Sequence, residues 1–404
     1  MRWRITTLLF LFVTLYALLV FNIYDIQFNK GSYYLTRAGA REKLGDPVGP
    51  IRGNIYMTDK ENNSIAVTLN KEYPVIYAVP KEIQGSNNKD KVIARYAEQL
   101  SPIIQEPVEV LKKQLSKQND PYEVLAKKVD QQIIEQVAEL GLKGVYNKQE
   151  LSRFYPYGEL ASHVLGFIAG GENNEASGKY GVEAQFNKKL EGTEKKDGEA
   201  VTLAIDRNVQ ARAENILAQA ITAHKAQGGT IIVEEAHSGK ILALANYPGF
   251  DPNTYSQFEI KNFINPAVQM VYEPGSVMKI ITMAAGIESK KITPDTTFID
   301  MGSVTLNKKT IQNWDQKANG KQTMRSVLEL SINTGAVFAE QKTGHDIFYN
   351  FLLKFGFAEP TKISLPGEVR GNTNNLKKGK DIDFATASFG QGVAVTPIEL
   401  INAV

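Results

Sequence analysis

The chain contains no cysteine, which excludes thiol nucleophiles, disulfides and thiolate metal sites and is compatible with an oxidising compartment. Histidine is scarce: the four residues, at 163, 224, 237 and 345, are too scattered to form a ligand set. His163 stands alone and reads as a surface or hydrogen-bonded residue rather than a ligand. Neither charge sign dominates, since 46 basic residues against 44 acidic ones leave a net charge of +2. No broad basic face therefore argues for nucleic acid. No Gly-x-Ser-x-Gly occurs, so the nucleophile elbow of an α/β-hydrolase is missing. Internal repeats and low-complexity tracts are absent, and after Tyr24 no apolar run could cross a bilayer.

What is present is a 404-residue chain, 43% apolar, long enough for two folded units and an anchor. Arg2 and Arg4 precede Ile5 to Tyr24, an uncharged stretch rich in Leu, Phe and Val. At ~1.5 Å per residue such a helix spans the ~30 Å hydrocarbon layer. Arginines before it and Asp25 after it place residues 1–4 in the cytoplasm and everything beyond residue 24 outside. A cleaved signal peptide is the rival, but Ala38-Gly39-Ala40, the sole small-x-small site, lies too far downstream. The expectation is a single-pass protein of the cell membrane.

Residues 25–198 read as an elongated α+β module, opening with a juxtamembrane stalk to about residue 45. Strand-like patterns flank the Asp59–Asn63 turn and recur at 73–79; amphipathic helices are predicted near 91–100, 108–115 and 130–140. The polar stretch 191–199 reads as a linker or hairpin tip, and a second α+β domain is expected over 199–404. There, Asp206 caps a helix running to His224, and two strands (230–234 and 241–245) join through His237-Ser238-Gly239-Lys240 as a hairpin.

The chemistry concentrates at Ser276-Val277-Met278-Lys279, after Pro274-Gly275 and before the apolar helical run 280–287. Pro-Gly breaks any earlier element, so Ser276 falls in the first helical turn with Lys279 one turn on, on the same face. Serine is a poor nucleophile without a base, and a lysine kept neutral by burial can be one. Backbone N–H groups at the helix start offer an oxyanion site. Ser-x-x-Lys alone is a weak pattern, matched also by Ser86–Lys89 in a polar loop. About fifty residues later, Ser331-Ile332-Asn333 at a helix junction supplies a second hydroxyl to relay a proton and an amide to grip a carbonyl. A capping Ser/Asn pair is the plain alternative.

Ser-x-x-Lys, Ser-x-Asn and Lys-Thr-Gly in that order are a known signature of penicillin-recognising serine enzymes. Lys342-Thr343-Gly344 does not qualify as the third element. It follows Asn333 too closely and sits between helical stretches, where Gly344 ends a helix, whereas the third motif lies on a strand.

At this point the chain resembles the class B penicillin-binding proteins. Tyr272–Lys279 looks like their nucleophile segment, Ala245–Asn253 like the stretch before it, and Ser388-Phe389-Gly390-Gln391-Gly392 with Thr396-Pro397 like a later one. Arg52-Gly53-Asn54-Ile55, Arg153–Gly158 and Gly181-Val182-Glu183 resemble their non-catalytic, dimerisation-like pedestal. The resemblance implies a penicillin-binding, serine-β-lactamase-like transpeptidase domain and a D,D-transpeptidase reaction. Ser276 would be acylated by a stem peptide ending in D-Ala-D-Ala, with Lys279 as base, Ser331 as relay and Asn333 as substrate holder. It implies β-lactam binding, no cofactor or metal, and partners in the divisome or elongasome, notably a polytopic cell-wall glycosyltransferase. The helix begun at Thr396-Pro397 is still running at Val404, so a further segment with the third motif is expected beyond it. A non-catalytic β-lactam sensor or scaffold and a β-lactamase are the competing readings.

Overall fold

A computed structural model describes Tyr16 and residues 50–404, apart from 84–87, 118–119, 171–175 and 194–195. The expected anchor at 5–24 lies outside the described residues except for Tyr16, as does Ser86 of the second Ser-x-x-Lys. Among the described residues no helix is long and apolar enough to cross a membrane. The chain divides into two compact units, one built from residues 70–152 and the other from 50–69 together with 153–404.

The first unit is a three-stranded sheet with helices on it. Strand β3 (Leu69–Ala78) lies in the middle of the order β4-β3-β5, with β4 (Glu123–Lys127) antiparallel to it and β5 (Val145–Phe154) on its other side. Helix α1 (Lys89–Ile104) buries Ile93, Tyr96, Ala97 and Leu100, a three-to-four-residue spacing that makes one apolar stripe. Helices α2 (Val108–Leu115) and α3 (Gln131–Glu139) add Leu111, Leu115, Ile134 and Val137. These three helices sit where the periodicity predicts them. Strands β4 and β5 are additions that sequence reading did not find, because 123–127 and 145–154 carry charged residues and little alternation.

The second unit opens with a hairpin, β1 (Ile55–Thr58) and β2 (Ser64–Ala66), closed by Asp59, whose carboxylate accepts from the Glu61 and Asn63 backbone N–H groups. Strand β1 also pairs in parallel with β8 (Val201–Asp206). Residues 191–199 form a tip, as expected, but not a loose one. Thr193 and Lys196 exchange backbone hydrogen bonds, and Gly198 N–H donates to the Ile51 carbonyl. Asp206 accepts from Asn208 and Val209 N–H to start α4 (Arg207–His224), which packs on the antiparallel hairpin β9 (Gly229–Glu235) and β10 (Lys240–Tyr247). Between these elements the antiparallel strands β6 (Phe167–Gly170) and β7 (Ala176–Lys179), with short helices and loops, gather an aromatic core of Phe167, Phe250 and Phe263, with His163 edge-on to Phe250. His163 is hydrogen-bonded, to the Asn262 backbone, but buried rather than on the surface, and burial pulls its pKa down to about 4, so it is neutral at pH 7.

One buried ionic cluster ties this unit together. Glu183, fully buried, accepts from Arg153 Nε at 2.7 Å and from Arg52 Nε at 2.8 Å, and the Tyr155 hydroxyl lies 3.3 Å away. The phrases Arg52-Gly53, Arg153-Phe154-Tyr155 and Gly181-Val182-Glu183, far apart in sequence, are thus three sides of one site. Removing one member of a buried pair leaves uncompensated charge, which costs roughly 3–5 kcal/mol. Glu183→Ala is expected to destabilise this unit by about that much, read as a lowered urea midpoint; an unchanged midpoint would show the cluster to be dispensable.

Candidate active site

The sequence from 278 to 288 is apolar on nearly all sides, and the helix it forms, α5 (Met278–Glu288), is correspondingly buried, with Met278, Ile281, Thr282, Met283, Ala285 and Gly286 all inside. Lys279 is carried inward with them and is 1% exposed. Ser276 occupies the single 3-10 turn Gly275–Val277 that leads into α5. Gly275 takes φ +62°, which lets the chain turn there without strain.

The segment in front of the turn is held by a distant stretch. Tyr272 and Val395 exchange backbone hydrogen bonds at 2.9 Å, Gly275 N–H donates to the Gly390 carbonyl at 3.1 Å, and Gly392 N–H donates to Glu273 Oε1 at 2.8 Å. Inside, the Thr282 hydroxyl donates to the Ser388 carbonyl. Residues 388–392, singled out in the sequence without a role, are therefore, with Val395, the bed on which the serine turn lies. Gly390 has φ +80°, and a Cβ there would stand 2.1 Å from the Gly275 carbonyl oxygen.

Ser331 and Asn333 come from the junction between α6 (Met324–Glu329) and α7 (Asn333–Thr343). Ile332 N–H bonds the Val327 carbonyl and Ser331 N–H the Leu328 carbonyl, the pattern of a Schellman helix end. Ser331 holds the left-handed position of that motif at φ +55°, where glycine is usual. A side chain there costs of order 1–2 kcal/mol, and the site gains its second hydroxyl from that position.

These elements meet at one amine. Lys279 Nζ lies 2.7 Å from the Ser331 carbonyl, 2.9 Å from Asn333 Oδ1, 3.0 Å from Ser331 Oγ and 3.2 Å from Ser276 Oγ. Ser331 Oγ and Ser276 Oγ are 2.9 Å apart. All four residues singled out in the sequence are brought together. Burial lowers the pKa of Lys279 to about 8. A neutral amine has two N–H groups and one lone pair. The Ser331 carbonyl and Asn333 Oδ1 accept only, so they take the two N–H groups and leave the lone pair to the hydroxyls.

The other end of the Asn333 amide donates to the Gln312 carbonyl at 3.0 Å. Asn333 therefore orients the lysine through its oxygen and ties to the hairpin through one N–H, and its second N–H is left for a substrate carbonyl on the cleft it lines. Gln312 lies on the hairpin β12 (Ser303–Leu306) and β13 (Lys309–Gln312), which follows β11 (Thr297–Asp300). Beyond it, β14 (Gly320–Thr323) pairs antiparallel with β11. Asp300, 1% exposed, braces this region: it accepts from Thr334 Oγ1 at 2.6 Å, Asn313 Nδ2 at 2.8 Å and Asn319 Nδ2 at 2.7 Å. Burial pushes its pKa up, but hydrogen bonds from Thr334, Gly302 and Asn319 outweigh that and hold it below the ordinary carboxylate value. No pattern in the sequence marks Asp300 or Gln312, since their side-chain partners lie 13 to 34 residues away. Lys342 and Thr343 lie in the last turn of α7 and Gly344 follows it, away from any strand, as the sequence reading requires. Ser276, Ser331 and Asn333 open onto a cleft of about 640 Å³, with Trp314, Glu329 and Gln391 on its walls.

A serine and a buried lysine on a mixed α+β scaffold define a protein of the penicillin-recognising serine class. Comparisons with known proteins agree: residues 229–404 match the penicillin binding protein transpeptidase domain and residues 47–215 the penicillin-binding protein dimerisation domain. The chain belongs to the class B penicillin-binding proteins. It is 30% identical to stage V sporulation protein D of Bacillus subtilis, over 98% of this chain and 64% of that protein. It is 27% identical to the probable peptidoglycan D,D-transpeptidase PenA of Neisseria meningitidis, over 86% of this chain and 62% of PenA. The chain thus spans a little under two thirds of those relatives. A peptidoglycan synthetase from Bifidobacterium adolescentis has a similar structure, with a TM-score of 0.62 and 26% identity over 88% of this chain and 70% of that one.

Gly390→Ala is expected to push the Gly275–Ser276 turn off its bed. A misplacement of about 1 Å costs on the order of a hundredfold in rate, so acylation of Ser276 by a fluorescent penicillin should slow by about that factor. Acylation at the unaltered rate would detach residues 388–392 from the site.

Proposed function

We propose that this chain is the membrane-anchored, serine-bearing part of a peptidoglycan D,D-transpeptidase. The observation that carries the reading is the buried Lys279 amine, which touches Ser276, Ser331 and Asn333 at once. Ser276 Oγ attacks the carbonyl of the penultimate D-Ala of a stem peptide as its proton passes to Lys279. The C–N bond to the terminal D-Ala then breaks, and that amine leaves with a proton relayed through Ser331. The amine of a second stem attacks the Ser276 ester, forming the cross-linking amide and returning a proton to Ser276. Asn333 and the Ser331 carbonyl hold Lys279 throughout, and Asp300 positions the hairpin and the start of α7. A β-lactam mimics the D-Ala-D-Ala end and stays esterified to the serine.

Residues 5–24 are proposed as the single anchor, with residues 25–198 as the pedestal and 199–404 as the catalytic domain, all outside the cytoplasm. A polytopic glycosyltransferase of the divisome or elongasome is the partner proposed to meet the anchor and pedestal. The domain matches and the relatives named as D,D-transpeptidases support the reading.

A labelled penicillin added to the intact protein should mark it, and Ser276→Ala should remain unmarked; equal labelling would end the assignment. The pH dependence is a separate check. Acylation requires neutral Lys279, whose pKa is lowered to about 8. The rate should therefore climb close to tenfold per unit below about pH 8 and level off above it. A flat or falling profile between pH 6 and 9 would remove Lys279 as the base.

A further inference from the structure

The mouth of the cleft has a feature that the acylation chemistry does not use. Glu329 lines it, is exposed, and is the only carboxylate among the described residues of its wall. It is the last residue of α6, where a negative charge opposes the helix dipole and so does nothing for the helix. No described side chain forms an ion pair or hydrogen bond with it. Around it the surface is apolar: Leu330 is 52% exposed and the indole of Trp314, on the same cleft, 75%. One anion beside an alkyl and an aromatic surface is complementary to an ammonium on an aliphatic stem.

We infer that Glu329, with Trp314 and Leu330, is the recognition point for the cationic side chain of a diamino-acid acceptor peptide. The inference rests on the transpeptidase reading and says which second substrate the site selects. The acceptor arrives as an ammonium paired with Glu329 and gives up one proton to solvent as it moves on to the ester, since only the free amine has a lone pair with which to attack. Its N–C bond to the acyl carbon forms as the carbon–Oγ bond of the Ser276 ester breaks. Of its three protons one returns to Ser276 Oγ, one stays on the amide and one leaves to solvent. Glu329 and Trp314 take no part in those transfers; they hold the amine-bearing chain beside the ester, so their effect falls on acceptor binding.

The test uses the intact protein, a synthetic stem-peptide thioester as acyl donor and a lysine-containing peptide as acceptor, with cross-linked and hydrolysed products separated by mass spectrometry. In Glu329→Gln the acceptor KM should rise roughly fivefold, the scale of one partly exposed ion pair. That loss should exceed any change in penicillin acylation, and hydrolysis should take the diverted acyl-enzyme. Glu329→Asp should recover part of the loss, Trp314→Ala should add to it, and added salt should weaken acceptor binding in the unaltered protein more than in Glu329→Gln. An unchanged acceptor KM in Glu329→Gln, or acylation and aminolysis falling together, would overturn the inference while leaving the transpeptidase reading intact. If the unaltered protein takes no label from penicillin, the transpeptidase reading falls, and this inference with it.

Discussion

Everything in the second unit that bears on chemistry depends on keeping one amine dry. A lysine in water is almost wholly protonated near neutrality and useless as a base; burial makes the proton easier to lose, and here the pKa comes down to about 8. The partners decide what the neutral amine then does. A carboxylate in contact would favour the ammonium again, but the four groups around Lys279 Nζ are a carbonyl, an amide oxygen and two hydroxyls. Two of them only accept, which fixes the two N–H directions and aims the lone pair. An amine held in this way has its lone pair directed at the two hydroxyls, as the proposed reaction requires.

The architecture follows from that requirement. An apolar helix is needed to carry the lysine inward, and α5 supplies it. A carbonyl and a hydroxyl from one residue must both face the amine, and Ser331 manages this from a left-handed helix-end position that a glycine would occupy more cheaply. The nucleophile must stand beside the amine yet open to solvent. A short 3-10 turn lying on residues 390–395 achieves that, with glycines at 275 and 390 where the two backbones approach most closely.

The sequence was most legible where the determinants are local. The helices at 91–100, 108–115 and 130–140 and the hairpin across 237–240 follow from spacing, turn chemistry and caps within a few residues. Ser276 and Lys279 lie within one helical turn, so their contact could be anticipated from Pro-Gly and the apolar run alone. Ser331 and Asn333 needed the order of motifs as well, since nothing local ties 331 to 279. Beyond that, local signals fail. β4 and β5 are strands because of their partners, not because of alternation, and Asp300 looks like any turn aspartate until its donors are seen. Likewise 191–199 looks like a linker by composition, yet it is tied to residue 51 by contacts about 147 residues apart. His163, polar by type, is buried against Phe250 because the aromatic core closes around it.

The role of Asn333 is where the assembled structure adds most to the local pattern. As a motif residue two positions after a serine, it reads as a hand for the substrate; assembled, its amide bridges the Gln312 carbonyl on the β12–β13 hairpin and the Lys279 amine. One wall of the cleft is thereby connected to the base through a single planar group that cannot rotate without breaking one of the two bonds. Movement of the hairpin would strip an acceptor from Lys279 or leave the Gln312 carbonyl unpaired. Asp300, bonded to Thr334 next door and to Asn313 and Asn319 beyond the hairpin, opposes both outcomes. The orientation of the amine and the position of the wall are therefore mechanically linked, and the buried carboxylate at 300 braces that link.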